Sequence, residues 1–224
     1  MAPTKPFGNP ASAEILLIGH DPRLQSSQAQ AEYAFFLDYL QRYAAAPTYG
    51  PEKRKYGLAN ALLDYVSALA GCRVPLERLY VTNLCNEFLQ GTQSKGTVLI
   101  PEAEAERGYE EICRASGQGH FRLIISTSCQ VFYHLARLGF LDESDERISL
   151  FVEQARPRKS AADRRVYATS GKAPFLEVCG VEFHHAGIPV VAVLHVKQWP
   201  LRTSALRYME PMERAKQVIG AALK

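Results

Sequence analysis

One stretch of the sequence, ILLIGHDPR (Ile15–Arg23), decides the fold. Four consecutive aliphatic residues run directly into a glycine, a histidine, an aspartate and a proline, which is typical of a buried strand that ends in a polar turn. In an open sheet of parallel strands, ligands bind outside the carboxyl ends of the strands. We therefore expect His20 and Asp21 to lie where a ligand would bind.

Further apolar stretches predict additional strands, and helical periodicity predicts helices between them. The expected strands are 14–19, 79–84, 121–126 and 188–195, and the expected helices are 25–45, 52–70, 101–116, 128–138 and 208–223, with Thr127 or Ser128 as the cap of the fourth helix. Apolar strands that alternate with helices indicate a mainly parallel sheet covered on both faces. The expected fold is α/β, a three-layer α/β/α sandwich around a four-stranded, mainly parallel central sheet.

The length of 224 residues fits one domain spanning residues 1–224, with a flexible start over residues 1–12. Residues 145–175 interrupt the regular alternation and form an irregular basic insert, in which Arg156, Arg158 and Lys159 lie close together. A short hairpin is expected from 175–181 and 182–185, with its turn at Cys179-Gly180.

Composition narrows the classes of protein that the chain can belong to. It is 47% hydrophobic and 22% charged, and it has neither an apolar run long enough to cross a bilayer nor the apolar core of a signal peptide. We therefore expect a cytoplasmic protein with no membrane partner. Five widely spaced cysteines without a C-x-x-C pair indicate reduced thiols, and a net charge of +3 is too small to imply a nucleic acid by itself.

Polar residues at three strand ends carry a resemblance to a known family. They are Gly19-His20-Asp21-Pro22, Asn83 and His195. In order, spacing and strand context they resemble the uracil-DNA glycosylase superfamily, whose first motif reads G-x-D-P or G-x-N-P, whose middle strand supplies an asparagine and whose last motif begins with histidine. The resemblance extends from Ile15 to about Arg202. It implies a uracil-DNA-glycosylase-like fold and a monofunctional DNA N-glycosylase of base-excision DNA repair, a hydrolase that needs no metal and no cofactor.

The resemblance also implies roles for individual residues. The catalytic residues would be Asp21, which activates water and stabilises the positive charge on the sugar, and His195, which faces the base oxygen that becomes anionic. The base-binding residues would be Asn83, Gly19, His20 and Arg23. These residue types suit the chemistry, because cleavage of an N-glycosidic bond makes an oxocarbenium-like sugar and an anionic leaving base.

The expected partner is DNA that contains uracil or another damaged base, whereas the sequence does not define the oligomeric state. Base flipping requires a wedge that holds the base out of the stack, and the resemblance places Leu201 in that role. Candidate contacts to the DNA backbone are Arg202, Lys197, Arg156, Arg158 and Lys159.

The motifs also depart from the superfamily pattern. Arg23 and Leu24 stand where the uracil-specific branch has tyrosine and histidine, and Val196-Lys197 stands where the last motif usually has proline and serine. Two alternatives therefore stay open: a catalytically inactive member that binds nucleic acid, and a hydrolase of free nucleosides or nucleotides. Each site residue also has a purely structural alternative, such as a turn or helix cap at Asp21.

Overall fold

The computed structural model of the chain describes residues 3–20, 32–87, 100–142, 145–155, 174–198 and 207–224. The strands are β1 (Ile15–Gly19), β2 (Leu79–Asn83), β3 (Leu123–Thr127), β4 (Glu182–His185) and β5 (Ile188–Val193). The α-helices are α1 (Asp38–Arg42), α2 (Gly50–Ala70), α3 (Glu102–Gln118), α4 (Cys129–Arg137), α5 (Glu146–Gln154), α6 (Phe175–Val178) and α7 (Met209–Ala222). Short 3-10 helices in the described ranges include Ala34–Phe36, Leu76–Arg78 and Val196–Gln198.

The strands form one sheet in the order β2-β1-β3-β5-β4, so that the fold is α/β, as the sequence predicts. β1 pairs in parallel with both β2 and β3, and β3 pairs in parallel with β5. Every residue of β1 and β3 is buried, which explains why these strands are apolar along their whole length. The carboxyl ends of the four parallel strands therefore meet at one edge of the sheet.

The expected strand count of four is wrong, because β4 adds a fifth, antiparallel strand beside β5. The hairpin turn lies at Ala186-Gly187, where both residues have positive φ values of 49° and 75°, as tight hairpin turns require. The turn predicted at Cys179-Gly180 is wrong. Gly180 also has positive φ, but an added Cβ there would clash with the Pro211 carbonyl, so this glycine permits the close approach of α7.

Helices pack on the sheet in two groups. α2 contacts α7, which contacts β5, whereas α4 contacts β3 and α5. Since the connections β1-α2-β2 and β2-α3-β3 run in opposite directions across the sheet, right-handed crossovers place α2 and α3 on opposite faces. The predicted helix at 52–70 is confirmed by α2, which ends at Gly71 in the left-handed conformation (φ 67°).

The helix predicted at 25–45 is wrong within the described residues 32–45. Only the 3-10 helix Ala34–Phe36 and the five-residue helix α1 occur there. Phe35 and Phe36 have φ values of 55° and 58°, which an α-helix cannot contain. The insert predicted as irregular at 145–175 likewise contains a regular helix, α5, whose first turn Asp145 caps by accepting a hydrogen bond from the Arg147 N–H.

The amino-terminal segment, expected to be flexible, is paired with the sheet over its described part. Phe7 exchanges two backbone hydrogen bonds of 2.8 Å with Val81 of β2, and its side chain is buried. The Thr4 N–H donates to the Asn86 carbonyl over 2.9 Å. This segment therefore covers the edge of the sheet beside β2.

Two further properties follow from the packing. No helix in the described ranges is both long and apolar enough to cross a membrane. All five cysteines are free, and Cys85 and Cys179 are buried. Burial raises the pKa of the Cys129 and Cys179 thiols to about 12.

Candidate active site

The strand order locates the candidate site. From β1 the chain passes to β2 on one side and later to β3 on the other, so the connections diverge at the carboxyl ends of β1 and β3. Such a switch point leaves a crevice in which ligands of open α/β sheets bind. Gly19 and His20 lie at this point, at the end of β1.

Gly19 is the floor of the site, because two side chains lie directly against it. A Cβ built on Gly19 would lie 2.5 Å from the Asn83 Oδ1 atom and closer still to the Phe35 ring. Asn83 is the register partner of Gly19 on β2, and it is only 4% exposed. Glycine is therefore required here by close approach of an amide and an aromatic ring.

His195 joins the same group through Phe35. The two ring centroids are 6.2 Å apart and the ring planes are inclined by 32°. Phe35 holds this position with the left-handed backbone described above (φ 55°, ψ 19°), which is strained for a bulky residue. Since strain of this kind persists only where surrounding contacts enforce it, the position of the Phe35 ring is a specific feature of the fold.

A buried tyrosine of α2 fixes the backbone that carries His195. The Tyr65 hydroxyl donates a 2.6 Å hydrogen bond to the carbonyl of Leu194, and Tyr65 is fully buried. Burial holds the pKa of this hydroxyl well above its usual range, so it remains a neutral donor. On the carboxyl-terminal side of His195, the Gln198 N–H donates a hydrogen bond to the backbone carbonyl of His195 over 2.8 Å.

The chain entering the site after β1 is held as firmly. The carbonyls of Gly19 and His20 accept hydrogen bonds from the N–H groups of Leu84 and Cys85, at 2.9 and 3.1 Å. These bonds extend the pairing of β1 and β2 beyond the strands themselves. Asp21 is bonded directly to His20 and lies outside the described residues.

The two candidate cap residues after β3 have different roles. The Ser128 Oγ accepts a hydrogen bond from the Val131 N–H at 3.3 Å and caps α4, which selects Ser128 over Thr127 as the cap. The Thr127 hydroxyl instead donates over 3.0 Å to the Ile18 carbonyl. This bond ties the ends of β1 and β3 together beside the crevice.

Beneath this edge, His20 turns its side chain toward α4 rather than into solvent. Its Nε2–H donates to the side-chain oxygen of Gln130, and both residues are buried. One turn further along α4 lies His134, which is 1% exposed and has no hydrogen-bond partner on either ring nitrogen within the described part of the chain. Burial, with smaller contributions from Arg137 and His20, lowers the pKa of His134 to about 4, so that it is neutral near pH 7.

The structure thus brings together three of the residues singled out in the sequence, Gly19, Asn83 and His195. The side chain of His20, predicted to bind the base, instead contacts Gln130 of α4. Lys197 lies two residues beyond His195 in a 3-10 helix. The remaining predicted site residues lie outside the described residues: Asp21, Arg23, Arg156, Arg158, Lys159, Leu201 and Arg202.

Three residues of the site have no equivalent among the sequence predictions. Phe35, Tyr65 and Gln130 all lie within predicted helices, where an aromatic or polar residue is unremarkable. The adjacent pair Phe35-Phe36 was the available signal, because two neighbouring phenylalanines cannot both face the same side of an α-helix.

The assembled groups are suited to a planar heterocycle. The Phe35 ring offers an apolar face, the Asn83 side chain can both donate and accept hydrogen bonds, and the His195 imidazole adds a further polar group. In the described part of the chain, no three histidine, cysteine or carboxylate side chains are grouped in a way that could hold a metal ion.

No family model matches this chain, and no curated protein matches it either.

Proposed function

We propose that the protein is a DNA N-glycosylase that flips uracil or another damaged base out of DNA and hydrolyses its N-glycosidic bond. One observation carries the proposal: Phe35, Asn83 and His195 converge around Gly19 at the switch point of the sheet. A flipped base is recognised by stacking on an apolar face and by hydrogen bonds to its edge. Phe35 supplies the face and Asn83 supplies the complementary amide.

The proposed reaction consumes one water molecule. Water attacks the C1′ carbon of the deoxyribose, the bond from C1′ to the base nitrogen breaks, and its electron pair leaves with the base. In this proposal Asp21 accepts the proton of the attacking water and faces the positive sugar. His195 donates a hydrogen bond to the base oxygen as negative charge develops there. The products are an abasic site and a free base.

The fixed backbone on both sides of the site supports this assignment. Hydrogen-bond donors stabilise a transition state best when they need no reorganisation during the reaction. The hydrogen bond from Tyr65 to Leu194 holds the approach to His195, and those from Leu84 and Cys85 hold the approach to Asp21. We expect removal of the donor that faces the leaving base, His195, to slow the reaction by a factor of roughly 10² to 10³.

The test is release of free base from oligonucleotides that contain uracil, hypoxanthine or xanthine, each single-stranded and in duplex. We expect the wild type to release at least one base, and Asp21→Asn and His195→Ala to lose most of that activity while the fold is retained. Matched controls are Asp64→Asn and His120→Ala, which change exposed residues outside the site and should leave release unchanged. Absence of release from the whole panel by the wild type would overturn the proposal.

The same experiment separates the two alternatives. Salt-dependent DNA binding without base release would select the inactive nucleic-acid-binding protein. Turnover of free nucleosides, with no dependence of binding on DNA length, would select a small-molecule hydrolase.

A further inference from the structure

A surface next to the candidate site combines exposed aromatic rings with cations. It is formed by α1, the loop that follows it and the first turns of α2. We call it the aromatic-basic surface and define it by Tyr39, Tyr43, Tyr49, Lys53, Arg54 and Lys55. The functions derived above use none of these residues.

Two cations of this surface have no ion-pair partner among the described residues. Lys53 and Arg54 are exposed and form no ion pair with any described residue. Arg42, by contrast, is paired with Glu32 at 2.8 Å and with Asp38 at 3.0 Å. Lys53 and Arg54 also lie near the positive end of the α2 dipole, where cations are unfavourable, so helix stability does not explain them.

The aromatic rings of this surface differ in their exposure to solvent. Tyr49 is 86% exposed, the highest value among the large hydrophobic residues in the described ranges. Tyr39 and Tyr43 are partly buried and stack on each other with ring centroids 5.7 Å apart. Lys55 holds this pair against α2, because its Nζ donates to the Tyr39 hydroxyl at 2.9 Å and lies 5.1 Å from the ring centroid.

Direct contacts connect this surface to the candidate site. The Tyr39 ring packs edge-on against Phe36 at 6.1 Å, and Lys55 Nζ lies 5.8 Å from the centre of the Phe36 ring. Phe36 is the neighbour of Phe35, whose ring lies on Gly19. A strand of DNA with one base in the site would therefore pass beside Tyr39 and Lys55, which belong to this surface.

We propose that the aromatic-basic surface binds the single-stranded DNA that flanks the flipped nucleotide. Lys53 and Arg54 contact phosphates, and the exposed ring of Tyr49 stacks on a base beside the Tyr39–Tyr43 pair. Cations interleaved with aromatic rings are the combination by which proteins bind single strands without reading sequence. The inference rests on the proposed function for its DNA substrate, and it adds the form of DNA and the residues that hold it.

The test is binding of a fluorescent oligothymidine by the full chain, measured by anisotropy over a series of salt concentrations. Loss of two phosphate contacts in the double variant K53A/R54A should weaken binding and reduce the slope of log Kd against log salt by about 1.4. Tyr49→Ala should weaken binding by about 5- to 150-fold and leave the salt slope unchanged, because stacking releases no counterions.

Matched controls remove cations or an exposed hydrophobic side chain outside the aromatic-basic surface. The double variant R73A/R114A removes two exposed cations, and Leu150→Ala truncates another exposed hydrophobic side chain. Both controls should bind like the wild type. Equal weakening by K53A/R54A and R73A/R114A would overturn the inference, because it would show a general effect of net charge.

A second ligand and the activity assay separate the remaining outcomes. If polyglutamate binds as tightly as the oligonucleotide and Tyr49→Ala binds both as the wild type does, the surface is a site for acidic protein and the inference fails. If the wild type releases base but K53A/R54A and Tyr49→Ala bind DNA normally, the inference fails and the proposed function stands. If no base is released but DNA binding depends on these residues as described, the proposed function fails and the inference that this surface binds single-stranded DNA stands.

Discussion

Replacement of His134 by leucine should abolish a large part of the loss of unfolding free energy that this protein undergoes as the pH falls below 6.5. The imidazole is buried with no hydrogen-bond partner among the residues that the structure describes, and its pKa falls from the ordinary value of 6.5 to about 4. In the unfolded chain the same group takes up a proton below pH 6.5. Stability contributed by neutral His134 is therefore fully present above pH 6.5 and is lost as the pH falls toward 4.

The size of the effect follows from this difference in pKa. At about 1.36 kcal/mol per pKa unit, His134 should remove about 2 kcal/mol of unfolding free energy between pH 7 and pH 5, and about 3 kcal/mol by pH 4. His134→Leu should lack this loss. At pH 7 the variant should be at least as stable as the wild type, because leucine fills the site without burying a polar ring.

The assay is urea unfolding at pH 7, 6 and 5 for the wild type, His134→Leu and the control His120→Leu. His120 is exposed, so its replacement should leave the wild-type pH profile unchanged. The comparison is limited to pH 5 and above, because at lower pH carboxylates with lowered pKa also lose their contribution to the unfolding free energy. Glu14, Asp142 and Asp145 are examples. Parallel pH profiles for the wild type and His134→Leu would refute the reasoning.

The remaining predictions concern close contacts around the site. Tyr65→Phe should lose the hydrogen bond to Leu194 at a cost of about 1 kcal/mol in unfolding free energy, and should slow base release if the proposed function is correct; retained stability and rate would contradict the positioning role. Gly19→Ala should preserve the circular dichroism spectrum but abolish binding of DNA that contains the damaged base, because the new methyl would displace the Asn83 amide and the Phe35 ring. Gly108→Ala should destabilise the protein by about 1–3 kcal/mol, because an added Cβ would overlap the carbonyl oxygen of the residue after β2. Gly57→Ala, with open space in the interior of α2, should instead stabilise it by about 0.5–1 kcal/mol in thermal unfolding.

Much of the fold is predictable because strongly apolar strands specify burial on both faces. β1, β2 and β3 were located to within two residues by this pattern alone. The hairpin is harder to predict: the strand at 182–185 is confirmed as β4, but its predicted partner at 175–181 is wrong, because Phe175–Val178 is helical and β4 pairs with β5. Only the packing of α7 shows that Gly180 is required for a close approach, whereas the turn lies at Ala186-Gly187.

The candidate site divides in the same way. Asn83 and His195 are predictable, because each follows an apolar run at the same edge of the sheet. Phe35 is not predictable, because its ring reaches Gly19 only through a left-handed backbone that opposes local preference. Tertiary contacts select that conformation, and local sequence periodicity contains no information about them.

The position of β1 in the sheet has a consequence for the order in which the chain folds. β1 precedes both of its parallel partners, β2 and β3, by many residues, and Ile15 pairs with Leu79 and with Leu123. Pairings so distant in sequence form slowly, because a long loop must close before any contact compensates for its entropy. The only local strand pair in the described chain, β4 with β5, comes last. In the nascent chain β1 must therefore stay unpaired until β2 has been made, and its other edge stays open until β3 follows, so this apolar segment is a natural target for a chaperone.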